Sequence, residues 1–303
     1  MQLTDIKQIL VVGGGTMGQQ IGFQCAAHGY RVTIYDVSSD ALQRAPVQLG
    51  EYAGQLVAAG HLTQPVAAST LGAITFSADA AHASAEADLV SESIPEDPAL
   101  KASVFAQFHQ LCPPRTIFTT NTSMLVPSLI AAATGRPDRF AALHFHQPVW
   151  TANVADVMPH PGTSPQVVAL LREFARSIHQ VPLVLSKENY GYVFNAMYSS
   201  LNSAAITLAA NGVASVEDID RSWMAIMKMG IGPLGMLDMV GLDTVWHITE
   251  YWANVTQDPQ TRKNADFLKR EYLDKGWLGI KSGRGFYTYP DPAFHSPDFL
   301  MGG

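Results

Sequence analysis

Gln8-Ile9-Leu10-Val11-Val12-Gly13-Gly14-Gly15-Thr16-Met17-Gly18 is the stretch that decides the fold. Gln8 to Val12 reads as a short buried strand, and the glycines at 13, 15 and 18 have the spacing G-x-G-x-x-G. From about Met17 to His28 the chain reads as a helix, with Gly29 suited to its left-handed end. Arg31 to Tyr35 reads as a second strand, ending on Asp36. Strand, tight turn, helix and strand make a βαβ unit, which predicts a parallel sheet. In that context the glycine spacing is a dinucleotide-binding fingerprint. Gly13 permits the turn, Gly15 lets the backbone approach a pyrophosphate, and Gly18 lets helix and strand pack closely. The helix start at Thr16 and Met17 offers free N–H groups and a partial positive charge to the phosphates. Asp36 is expected to accept hydrogen bonds from the adenine ribose and to repel a 2′-phosphate. Val37-Ser38-Ser39 supplies no Arg, so NAD is expected rather than NADP.

Outward from this unit, Ser39 to about Leu71 reads as helical and rich in Ala and Gln. Leu89–Ile94, Thr116–Thr120 and Ala141–Phe145 read as buried parallel strands, with a helix at Leu100–Leu111 between the first two. Val154–Met158 and Val181–Leu185 add two strands that close the first domain. After Ser186 the pattern turns helical: Tyr192–Asn211, Val216–Met229, Leu234–Trp252 and Ala265–Lys275, with an irregular tail from Pro290. The expected architecture is α/β, a Rossmann-type doubly wound parallel sheet over 1–185, followed by an all-helical C-terminal domain over 186–303. The cluster Met224, Met227, Met229, Met236 and Met239 is read as helix core or subunit interface.

A length of 303 residues suits two domains, and 47% hydrophobic residues describe a packed globular chain. A net charge of -7 argues against nucleic acid as a partner. Cys25 and Cys112 form no CxxC pair or His/Cys cluster, so neither a disulfide framework nor a metal site is expected. The first residues lack the basic and apolar regions of a signal peptide, and there is no apolar run of about 18 residues, so neither export nor a membrane span is expected and the location expected is the cytoplasm.

Three later segments carry the chemistry: Asn121-Thr122-Ser123, Leu143-His144-Phe145-His146-Gln147-Pro148, and Asn189-Tyr190-Gly191-Tyr192-Val193-Phe194-Asn195. Together with the glycine loop they resemble the L-3-hydroxyacyl-CoA dehydrogenases. The likeness extends through Ile94-Pro95-Glu96, through Gly232-Pro233-Leu234-Gly235 with Leu237-Asp238 and Gly241-Leu242-Asp243, and through Lys281-Ser282-Gly283-Arg284-Gly285-Phe286-Tyr287. The resemblance implies an NAD-dependent oxidoreductase, acting in fatty acid metabolism, that interconverts a 3-hydroxy and a 3-oxo acyl-type substrate. It implies His144 as general acid/base, a role suited to an imidazole with a pKa of about 6.5. It places Asp156 as the carboxylate that orients His144, and Ser123 and Asn195 as donors to the substrate oxygen. It also implies cofactor contacts at Glu96, Lys101, Asn121, Ser123, Gln147 and Lys281, and a homodimer through the C-terminal helices.

The chain departs from the family at several points. The usual strand ending His-Phe-Phe-Asn-Pro reads here His144-Phe145-His146-Gln147-Pro148, and the usual Glu has become Asp156. The resemblance gives His146 no role; it is read as pocket lining or surface. Gln147 and Trp150 are expected to line a reshaped substrate pocket. The run Trp150–Met158 is most similar to the bacterial diketoreductase branch, whose members act on ketones other than CoA thioesters. Two other readings are open. One is ordinary 3-hydroxybutyryl-CoA dehydrogenase activity. The other is a non-catalytic NAD-binding structural protein, against which Ser123, His144 and Asn195 speak. The 3-hydroxyisobutyrate dehydrogenase type ranks low, because Gly191 stands where its Lys precedes Asn195.

Overall fold

The computed structural model describes residues 1–302, and the chain divides into two compact units, Met1–Asn195 and a second from Ala196 onward. The sheet of the first unit ends by Val184, near the boundary read at Leu185, and the segment through Asn195 stays with that unit.

The first unit is built on eight strands: β1 (Gln8–Val12), β2 (Arg31–Tyr35), β3 (Ile74–Ser77), β4 (Leu89–Glu92), β5 (Ile117–Thr120), β6 (Phe140–Phe145), β7 (Val154–Pro159) and β8 (Val181–Val184). They lie in the order β3-β2-β1-β4-β5-β6-β7-β8. The direction of travel reverses between β1 and β4, and the carboxyl ends of those two strands form the crevice in which doubly wound sheets bind ligands. The helices are α1 (Thr16–Ala27), α2 (Ser39–Ala58), α3 (Gln64–Gly72), α4 (Ala80–Ser84), α5 (Pro98–Leu111) and α6 (Pro165–Ser177). Ile9 and Val11 enter one apolar cluster and Leu10 and Val12 another, so β1 is covered on both faces. A strand buried on both faces reads as an uninterrupted apolar run, which is what 9–12 is.

Sequence and structure differ at identifiable places. The Ser39–Leu71 stretch is two helices, interrupted around Gly60, which has positive φ, and restarted at Gln64-Pro65 with proline in the first turn. The four-residue edge strand β3 follows at once and was hidden by that helical composition. Helix α6 was missed, although Ser164 caps it and Pro165 opens it, with Val167, Leu170, Leu171 and Phe174 buried along one face. The sheet is not wholly parallel, since β7 runs antiparallel to β6. Residues 146–153 are too few to carry a crossover helix, so the chain can only turn back. That return sets His144 directly opposite Asp156.

The second unit is helical: α7 (Phe194–Ala210) runs into it, followed by α8 (Val216–Met227), α9 (Pro233–Val240), α10 (Leu242–Thr256) and α11 (Pro259–Glu271). The expected Leu234–Trp252 helix is broken at Gly241 into α9 and α10, and the tail carries two short 3-10 turns. Its recurrent motifs have structural work. Buried Asp220 accepts hydrogen bonds from the first-turn amides of Leu234 and Gly235 and from the Tyr287 hydroxyl. Buried Asp238 accepts from the amides of Phe286 and Tyr287 and from the Tyr289 hydroxyl, tying the 281–289 segment to α9. Among the described residues no helix is long and apolar enough to cross a membrane.

Candidate active site

The glycine loop closes around the crevice between β1 and β4. Gly13 has φ of 109°, and a Cβ there would lie 2.5 Å from the Ser93 carbonyl oxygen. A Cβ on Gly18 would lie 1.9 Å from the Gly13 oxygen, so α1 can approach the loop only without one. At Gly15 the space a Cβ would enter is open. A cavity of about 730 Å³ runs over this loop, lined by Gly13, Gly15, Thr16, Met17, Tyr35 and Asp36 among others. Asp36 is held at the end of β2, with Oδ2 accepting from the Gly14 amide at 2.7 Å and Oδ1 from the Ser38 amide at 2.8 Å. A glycine cradle, the unpaired first-turn amides of α1 and an acid beyond the next strand fit the phosphates and ribose of a dinucleotide.

A second cavity of about 340 Å³ brings together Glu96, Asn121, Ser123, His144, Gln147 and Asn195, with Met17 and His146 also on its wall. Each side chain is placed by a strand end. Asn121 follows β5, and its Oδ1 accepts from the Phe145 amide at 2.8 Å, fixing the end of β6. The turn after Asn121 is held by Glu96, whose Oε1 accepts from the amides of Ser123 and Met124, each at 3.1 Å, and from the Thr122 hydroxyl. Asn195, in the first turn of α7, reaches back with its amide to the Ser123 carbonyl at 3.4 Å. Lys101 is fully buried; its Nζ lies 2.6 Å from Glu92 Oε1 and 3.3 Å from Glu96 Oε2, and donates to the Ile94 carbonyl. Its observed part is to hold Glu96 and the strand end. Glu92, also buried, accepts from the Thr120 hydroxyl at 2.6 Å. Sequence reasoning missed Glu92; the signal was an acid closing an otherwise apolar strand.

His144 is 5% exposed. Its Nδ1 lies 3.0 Å from Asp156 Oδ2, and the same oxygen is 3.0 Å from His146 Nε2. Asp156 is completely buried, and its other oxygen, Oδ1, has no partner. The shorter acid still reaches His144 because the two are direct cross-strand neighbours, whose Cβ atoms in antiparallel sheets are ~4.5–5.5 Å apart. His146, one residue beyond the end of β6, presents its ring to the same side as His144. Burial lowers the proton affinity of His144, more than the Asp156 contact restores it. Burial alone would raise the Asp156 carboxyl; the two imidazoles together outweigh it and hold the group below its ordinary range. The Tyr192 ring, itself buried, packs against the His144 ring at 4.7 Å between centroids. His144, His146 and Asp156 carry ligand-type atoms within 4.8 Å of one another. Both nitrogens are directed at one carboxylate oxygen, so the trio is a hydrogen-bonded network and no metal is assigned.

One expected site residue is placed differently. Trp150 is not among the residues lining the cavity; it packs edge-on to Phe23 of α1 and tilted against Tyr52 of α2, as part of the apolar core. The five-residue step from the strand end carries it past the site into the helix layer. Lys281 belongs to the second unit, where its Nζ pairs with both oxygens of Asp243 at 2.6 and 2.5 Å.

The family model for the NAD-binding domain of 3-hydroxyacyl-CoA dehydrogenase matches residues 8–189, and that for its C-terminal domain matches residues 191–289. A probable 3-hydroxybutyryl-CoA dehydrogenase of Bacillus subtilis is 34% identical over 291 residues, covering 95% of this chain and 99% of its own. The 5-formyl-3-hydroxy-2-methylpyridine 4-carboxylate 5-dehydrogenase of Mesorhizobium japonicum is 32% identical, covering 94% and 91%. Among solved structures, a diketoreductase described as performing substrate-directed dual catalysis of dicarbonyl compounds aligns with a TM-score of 0.87 at 40% identity, over 94% of this chain and 99% of its own.

Proposed function

The chain belongs to the 3-hydroxyacyl-CoA dehydrogenase family, and from that premise we propose that this NAD-dependent oxidoreductase works on a small 3-oxo or 3,5-dioxo acid or ester rather than on a CoA thioester. The observation that carries the proposal is a gap in charge. From Arg44 to Lys101, through most of α2 and all of α3, β3, α4 and β4, there is no Lys or Arg. The phosphates of a CoA group are ordinarily met by such cations. A hydrogen bond to a charged group is worth about 1.5–3 kcal/mol, so two missing contacts lower affinity severely. The likeness to a diketoreductase supports the same reading.

NAD, which the glycine loop and Asp36 would hold, would supply the hydride chemistry at the substrate's carbonyl or alcohol carbon. His144 handles the proton. With Nδ1 turned to Asp156, Nε2 is the atom that delivers a proton to the carbonyl oxygen in reduction and removes it in oxidation. Asp156 fixes that tautomer and stabilises the imidazolium. The Ser123 hydroxyl and the Asn195 amide donate to the substrate oxygen as charge develops on it. Gln147 lines the substrate side, and the glycine loop, Asp36 and Asn121 hold the cofactor.

The test is kcat/KM for acetoacetyl-CoA against that for an acetoacetate ester and a 3,5-dioxo ester. The esters are expected to be better; a thioester preferred tenfold or more overturns the proposal in favour of 3-hydroxybutyryl-CoA dehydrogenase activity, the reading favoured by the Bacillus relative. A place in fatty acid metabolism goes with that second reading. The free, buried Cys25 and Cys112 fit a reducing, cytoplasmic setting. We also infer a homodimer through the C-terminal helices, because Met197, Ile226, Met227, Met239, Tyr251 and Val255 are exposed on them. Light scattering that gives a monomer mass at micromolar concentration refutes it.

A further inference from the structure

His146 stands where the family ordinarily carries an apolar aromatic residue, and it is not on the surface: its side chain is 15% exposed. Its Nε2 is directed at the same Asp156 oxygen that holds His144. For both contacts to be hydrogen bonds, each ring must present an N–H to a carboxylate that can only accept. Asp156 is wholly buried and its second oxygen has no partner, so these two N–H groups are the only compensation its charge receives. A buried carboxylate with two donors on one oxygen divides its charge between them.

We infer that His146 is a positioning residue for the acid–base group: the two rings share the one engaged oxygen of Asp156, and His146 thereby moderates the hold of that carboxylate on His144. The inference rests on the reading of His144 as the acid/base. It adds that the carboxylate answers to two imidazoles, where a His–acid pair alone would have one.

The direction follows from the contacts. His144 is faced by Asp156 on β7, by His146 just beyond the end of its own strand at 4.6 Å between ring centroids, by the Tyr192 ring, and at longer range by Glu96 beyond β4. His146 is faced by Asp156 and His144 and by the uncharged Phe194 ring, 5.6 Å away. Of the groups around His144, Asp156 and Glu96 favour the imidazolium and His146 disfavours it. Removing the His146 donor returns the whole carboxylate to His144, which strengthens its hold on a proton. Phenylalanine at 146 removes the donor. Glutamine reaches about as far as Nε2 and keeps an N–H donor without titrating.

The experiment is an NMR titration of the imidazole Cε1 protons in wild-type enzyme, His146→Phe and His146→Gln, each with and without NADH, paired with the pH profile of ketone reduction. In His146→Phe the His144 midpoint should rise by about half a pH unit or more, as expected for a carboxylate freed of a competing donor. The falling limb of the reduction profile should move upward with it. His146→Gln should restore the midpoint to near the wild-type value. A His144 midpoint that does not rise in His146→Phe, or that His146→Gln fails to bring back, overturns the inference. The NMR arm needs no substrate. An enzyme that turns over none of the ketones yet shows the raised His144 midpoint in His146→Phe refutes the proposed substrate class and upholds the inference.

Discussion

Replacing Asp156 by Asn changes one atom and removes the charge on which the acid–base site depends. The side chain is fully buried and its volume is conserved, so the strand pair β6–β7 should persist. The chemistry should not. Asp156 Oδ2 receives His144 and His146, each at 3.0 Å, and only a carboxylate can accept from both rings and also neutralise an imidazolium. A hydrogen bond to a charged group contributes about 1.5–3 kcal/mol. At about 1.36 kcal/mol per factor of ten, losing it from the state in which His144 carries the proton slows turnover roughly 10- to 150-fold. If the new amide nitrogen faces His144, its Nδ1 becomes an acceptor, Nε2 carries the proton in the neutral ring, and oxidation loses its base. The glycine loop is separate from this network, so NADH binding should stay near wild type. Steady-state ketone reduction gives kcat, fluorescence titration gives the NADH Kd, and thermal melting checks the fold. A folded variant with kcat within threefold of wild type refutes the assignment of Asp156 as the charge behind His144.

The other expectations are simpler. His144→Ala should lower kcat at least ~10²-fold with NADH affinity retained, the usual worth of general acid–base catalysis, and near-normal turnover removes it from that role. Asp36→Ala should narrow the preference for NADH over NADPH, because it removes both the ribose acceptor and the repulsion of a 2′-phosphate; equal kcat/KM for the two cofactors in the wild type contradicts the reasoning. Gly18→Ala places a Cβ 1.9 Å from the Gly13 oxygen and should abolish measurable NADH binding; an unchanged Kd shows that the loop can move aside. Burial holds the His144 midpoint below its ordinary value, so the base form persists as pH falls through about 6.5 and alcohol oxidation should stay level from neutrality down to that point. Ketone reduction, which needs the imidazolium, should fall as pH rises through the same lowered midpoint; a limb above pH ~7 assigned to His144 contradicts the sign.

The fold was legible where one principle governs a segment. The apolar run 9–12 had to be a strand covered on both faces, and the glycine spacing had to be a loop in which Cβ atoms collide. It was illegible where tertiary context decides. β3 is only four residues long, at the sheet edge, and continues from an Ala-rich helix without a composition change. The reversal at β7 leaves no mark on the composition of the strand itself; only the shortness of 146–153 encodes it.

The same reversal explains which parts of the site could be read. Ser123 and His144 sit at strand ends and Asn195 at a helix start, where the flanking motifs are local, and the structure gathers them around one cavity. The role of Trp150 could not be read, because its direction depends on the path of residues 146–153 and not on its neighbours; that path takes it to Phe23 and Tyr52. Asp156 and His146 are harder still. Taken singly, a shortened acid weakens the orienting pair, and a histidine in an aromatic position is an unpartnered oddity. In the antiparallel register the two departures complete each other. A Glu opposite His144 has an extra methylene with which to reach a single ring from one side. An Asp brought directly opposite keeps its oxygen close to the strand, within reach of residues 144 and 146 on the same face. The acid that looks too short for one histidine is therefore the right length for two, and the pair of changes is one alteration of the proton-handling unit.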